Sequence, residues 1–80
     1  MATKKVKRQE PGEGAVRAVI SQNATVNVRK TVDPNSKVLE TLYSGTIVMI
    51  EPVAEAKDFA RVFCPSGVVG YAKLKYFKGV

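Results

Sequence analysis

Apolar and polar residues alternate along most of the chain. Val26 and Val28 stand between Asn27 and Arg29, and similar short β-rich stretches read AVRAVI, TVNVRK, KVLETL, TIVMIEPV, FARVFC and VVGYAKL. A period of two sends successive side chains to opposite faces, so each stretch reads as a strand with one buried side. Turn residues separate them at intervals of roughly 8 to 12 residues, among them Asp33-Pro34-Asn35-Ser36, Ser44-Gly45 and Pro65-Ser66-Gly67. No helical period is sustained. The pattern predicts an all-β fold, a small antiparallel barrel of five or six strands, with KLKYF as a single helical turn closing it. Gly45 and Gly67 are expected in turns that need positive φ. Asn27 and Arg29 fall at outward parity beside the Asp33-Pro34 loop, where Arg29 is expected to hold the loop through its carbonyls or Asp33.

Residues 1–14 differ from the rest. They hold four of the thirteen basic residues, Lys4, Lys5, Lys7 and Arg8, and end in Pro11-Gly12-Glu13-Gly14. Such a composition buries too little apolar surface to fold alone. The division is therefore a basic arm, residues 1–14, and a barrel domain, residues 15–80. The net charge is +6, and the body keeps nine basic residues against five acidic ones. An anionic neighbour is favoured, although the body is not densely basic. The basic start has no apolar run after it and does not read as a secretory signal, and no later run is long enough to cross a bilayer. The expectation is a chain that is cytoplasmic when made, with no membrane partner.

At Val26-Asn27-Val28-Arg29, then Val38-Leu39, Leu42 and Gly45, Ile47 to Ile50, Phe59 to Val62, Gly70-Tyr71 and Tyr76-Phe77, the sequence resembles the bacterial Src-homology-3-like (SH3-like) domain family. The resemblance spans about residues 15 to 78. It implies an SH3-like barrel, and it implies a family-typical alternative function, a binding module for cell-wall peptides or other peptide ligands. The groove of such a module would lie near Asn27, Asp33, Phe59 and Tyr71. After Arg29 the family's usual Ser-Gly-Pro type of turn is replaced by Lys30-Thr31-Val32, with proline deferred to Pro34, so a different loop path is expected.

The same resemblance sets strand parity. Val48 and Ile50 turn inward, Ile47 and Met49 outward; Ala60 and Val62 turn inward, Phe59, Arg61 and Phe63 outward. The expected core is Val26, Val28, Val38, Leu42, Val48, Ile50, Val62 and Leu74. Ile47, Met49 and Phe63 would form an outer apolar patch, either a protein contact or a surface covered within the same molecule. Tyr43, Tyr71 and Tyr76 with Lys73, Lys75 and Lys78 interleave aromatics and bases, a pattern suited to nucleic acid. Alternatively Tyr71 and Tyr76 close the core.

Catalytic chemistry finds little to work with. Histidine is absent and Cys64 is the one cysteine. That removes imidazole-based triads, an intrachain disulfide and a cysteine-based zinc site. Cys64 reads as a small buried apolar residue. Glu51, Glu55 and Asp58 read as solvating the loop in EPVAEAKD rather than binding a cation, and there is no glycine-rich phosphate loop. No enzyme, metal or cofactor is expected. The leading expectation is a structural module docking onto a larger protein assembly, such as a minor capsid, decoration or other virion protein of a bacterial virus, through the arm and the outer patch. The wall-peptide module is the alternative, and nucleic-acid binding led by the arm is a second one.

Overall fold

The structure, a computed structural model, describes residues 14–79. The arm positions Lys4, Lys5, Lys7 and Arg8 lie outside the described residues. Seven strands follow in order: β1 Val16–Ile20, β2 Thr25–Arg29, β3 Val38–Tyr43, β4 Ile47–Pro52, β5 Phe59–Phe63, β6 Val69–Lys73 and β7 Phe77–Gly79, with a 3-10 turn, Leu74–Tyr76, before the last. They form one antiparallel sheet in the order β3-β2-β6-β5-β4-β1-β7. The six strands read from alternation are present, and the helical turn falls within KLKYF. Two features differ from the expected closed barrel of five or six strands. Phe77–Gly79 adds a seventh strand by pairing with β1, Phe77 opposite Ile20. The sheet is also open, with β3 and β7 at its edges.

Although open, the sheet is coiled. β3 and β5 are separated in the strand order by β2 and β6, yet the turn after β5 reaches β3, where Ser66 Oγ donates to Glu40 Oε1 at 2.6 Å. One face therefore wraps around a single core of Ala18, Ile20, Val26, Val28, Leu42, Val48, Ile50, Ala60, Val62, Cys64 and Ala72. Cross-strand partners share a face. The pairs Ala18 with Val48, Ile50 with Val62, and Ala60 with Ala72 thus build the interior layer by layer. Tyr76 and Phe77 pack against it.

Two expected core residues are not in it. Val38 is 40% exposed and Leu74 41% exposed. At Val38 the register shifts: Val28 faces Glu40 but Arg29 faces Val38, so Leu39 is an extra residue on β3 and the alternation is broken there. Leu74 opens the 3-10 turn, where the period-two rule no longer applies, and Ala72 is the last inward residue of β6.

Glycines act in two ways. Gly45 and Gly67 have φ of +87° and +99°, each in a tight turn closed by a backbone bond, Thr46 N to Tyr43 O at 3.1 Å and Gly67 N to Cys64 O at 2.9 Å. Gly70 instead permits a close approach. A β-carbon there would lie 2.6 Å from both the Arg29 carbonyl oxygen and Val28 Cγ1, so β2 and β6 pass closer than any side chain allows.

Gly70→Ala is therefore expected to destabilise the fold by about 1–3 kcal/mol through overpacking against backbone that cannot step aside. Val62→Ala, at a fully buried site, is expected to remove about 2 kcal/mol. Leu74→Ala is expected to stay within about 0.5 kcal/mol. Urea unfolding of the three variants checks the order.

Candidate functional site

Three features of the described surface carry the candidate site: a stiff loop, a groove beside it and an apolar outer face. The loop between β2 and β3 is held from within. Lys30 N donates to Lys37 O at 2.9 Å and Ser36 N to Asp33 O at 2.9 Å. Asn35 N donates to Asp33 Oδ1 at 2.8 Å, an Asx turn, and Asp33 N to Thr31 Oγ1 at 3.2 Å. Arg29 Nη1 reaches across to the Ser36 carbonyl at 2.8 Å. The guanidinium thus holds the loop, through a carbonyl rather than through Asp33.

Pro34 of this loop forms one lip of a groove of about 180 Å³. Thr25, Asn27 and Arg29 line it from β2, and Tyr71 and Lys73 from β6. Phe59, at the start of β5, and Tyr76 complete its aromatic surface. Of the four positions expected around a peptide groove, Asn27, Phe59 and Tyr71 line this one. Asp33 does not: its carboxylate accepts a hydrogen bond within the loop, and its neighbour Pro34 takes the place on the wall. Phe59 keeps its outward register opposite Lys73 but is 8% exposed rather than bare, with Lys73 Nζ 5.8 Å from the ring centroid. Sequence reading also missed Pro34 and Thr25 as lining residues, because a loop's path over a strand leaves no mark on alternation.

The outer face continues from the groove. Met49 lies directly opposite Phe63, Phe63 opposite Val69, and Ile47 opposite Val19. Ile47, Met49 and Phe63 therefore do share the outward side, Ile47 being 49% exposed and the other two half-buried. Val19 and Val69 extend the patch, and parity alone would have found both. Arg17 stands opposite Met49 and Lys78 opposite Val19, which gives the patch a basic rim. Between patch and groove, Arg61 lies 5.8 Å from the Tyr71 ring centroid and 3.4 Å from Glu51 Oε1. Tyr71 thus belongs to the outer face, and of the two tyrosines considered for the core only Tyr76 packs against it.

The six residues considered for nucleic acid are not gathered. Tyr71, Tyr76 and Lys73 line the groove, whereas Tyr43, Lys75 and Lys78 do not. Among the described residues, no three His, Cys, Asp or Glu side chains are placed to hold a metal ion, and no helix is long and apolar enough to cross a membrane. The chain matches no family model and no curated protein sequence.

Cys64 is buried immediately after β5. Desolvation pushes its thiol up to about 12, and the neighbouring Glu40 adds to the shift by charge and by accepting its hydrogen bond. The folded state therefore keeps a proton that the unfolded thiol releases near 9.0. The stability gained is fully present below that unfolded value and is lost as pH rises through the interval to about 12. Wild-type protein is expected to lose melting temperature more steeply than Cys64→Ala over this window. Scanning calorimetry at several pH values measures the two slopes.

Proposed function

We propose that the chain is a non-catalytic SH3-like module that docks onto a larger protein assembly through the outer face of β1, β4 and β5. The observation that carries this reading is the outward ladder Met49–Phe63–Val69 with Ile47–Val19 beside it, on strands where solvent-facing positions ordinarily hold polar residues. Apolar surface gathered on one side of a small domain is the usual mark of a protein contact. The SH3-like reading rests on the order of the motifs from Val26 to Phe77, together with a small antiparallel sheet coiled around one core. Lys4, Lys5, Lys7 and Arg8 would add attraction that salt screens. A virion is one setting for such a module.

A second reading is favoured by the groove. Its lining of aromatic residues beside a braced loop suits a peptide ligand, in line with the resemblance to peptide-binding domains.

The test is association in the native source. Tagged wild-type chain is expected to elute from gel filtration of the lysate in a fraction far larger than its own mass. Met49→Lys is expected to shift it to the free fraction, because a charge placed in an apolar contact finds no partner there. The purified variant should melt within about 0.5 kcal/mol of wild type, as a surface change does. Retention of Met49→Lys in the large fraction would sink the docking reading. Loss of association by Tyr71→Ala instead would favour the groove.

A further inference from the structure

We propose that the groove between β2 and β6 takes an extended peptide segment carrying a side-chain carboxylate next to an apolar side chain. This rests on the second reading above and specifies its ligand. The argument starts from charge. Arg29 and Lys73 line the groove, and no carboxylate does. Of the nearby acids, Glu51 pairs with Arg61, Asp33 is engaged within its own loop, and Asp58 lies outside the groove in an adjoining hollow that it lines with Lys73.

The donors are also arranged in advance. Arg29 is fixed by its bond from Nη1 to the Ser36 carbonyl, so its remaining N–H groups hold one orientation without further ordering. Asn27 accepts from Thr41 Oγ1 through Oδ1 at 3.0 Å, which leaves its amide N–H donors for another acceptor. Two cations and an amide donor lining one groove suit a carboxylate, and a cationic ligand would be repelled. Pro34, Tyr71 and Tyr76 supply the accessible apolar surface of the same lining, over the buried Val26, Phe59 and Ala72. The ligand therefore needs an apolar side chain beside its acid.

Size and layout decide the class of macromolecule. A groove of about 180 Å³ admits one or two side chains of an extended chain and not a folded surface. A nucleic-acid strand needs cations tracking its backbone over several nucleotides. Among the described residues, Arg29 and Lys73 are the cations of the groove lining, and Lys75 and Lys78 lie outside it, which is short of such a track.

The test titrates isotopically labelled full-length chain with blocked tetrapeptides, acetyl-Ala-Leu-Asp-Ala-amide, its Asn counterpart and its Lys counterpart, and follows amide shifts by NMR. The Asp peptide is expected to move the signals of Asn27, Phe59 and Tyr71 and to bind about tenfold more tightly than the Asn peptide, with the Lys peptide weakest. Lys73→Gln, checked for an unchanged melting temperature, should erase most of the preference for Asp. Equal binding of Asp and Asn peptides, or an undiminished preference in Lys73→Gln, would overturn the carboxylate while leaving a peptide groove. Sodium acetate producing the same shifts at the same concentration would overturn the peptide. Shifts at these residues with oligothymidylate and none with any peptide would replace the ligand by nucleic acid. No shift with any probe would end the groove reading itself.

Discussion

At Gly70 the backbone of β6 passes so near β2 that a β-carbon would sit 2.6 Å from the Arg29 carbonyl oxygen. The strand order puts β2 and β3 on one side of this passage and five strands on the other. Only one residue pair, Arg29 with Tyr71, is in register between β2 and β6, against four or five at the neighbouring β4–β5 and β5–β6 seams. A two-strand hairpin is marginal alone. The β2–β3 hairpin is therefore held by close packing of Val28 against the bare backbone of Gly70 and by the core beneath, more than by a long ladder of hydrogen bonds. The groove straddles the same seam, with Asn27 and Arg29 on one bank and Tyr71 and Lys73 on the other. What unites the halves of the fold also positions the candidate site.

From that seam the two faces of the sheet take different roles. The inner face excludes water around Ile20, Val26, Val28 and Val62, and no buried polar or charged residue is found among the described residues. Among the described residues, the outer face carries both candidate features: the groove with its aromatic and cationic lining, and the apolar ladder with its basic rim. Along β5 the outward register of Phe59, Arg61 and Phe63 runs from groove to patch. Arg61, placed between, meets Glu51 and the Tyr71 ring at once. With both ends of the ion pair partly exposed, its contribution to stability is at most about 1 kcal/mol, and its effect is chiefly to fix where Tyr71 lies.

Much of this was legible in the sequence where the physical signal was local. Alternation located six strands, and the family resemblance set the parity of Val48, Ile50, Val62, Ile47, Met49 and Phe63. Turn chemistry located Gly45 and Gly67, and the outward placing of Arg29 beside a polar loop led to its bracing role. The signals failed where a position is decided by distant chain. Val38 looks like any strand valine, and only the extra residue Leu39 opposite the Val28/Arg29 step turns it out. Phe59 has outward parity, yet neighbours in the groove cover it. Phe77–Gly79 is too short to show a period, and its pairing with β1 arises from the return of the chain after the 3-10 turn. Gly70 carries no turn signal at all, since its need is proximity to another strand and not an unusual φ.

The open edges of the sheet have a consequence of their own. An unpaired strand offers hydrogen bonds to any other strand, and copies gathered on one assembly would meet at high local concentration. Here β3 carries the extra residue Leu39, which interrupts its hydrogen-bonding row, and beside it Glu40, a charge on the inward-facing register that Ser66 holds in place. β7 is three residues long. Bulges, inward charges and brevity are the means by which natural sheets refuse edge-to-edge growth. The described fold can therefore leave its sheet unclosed while its edges stay poor templates for strand addition.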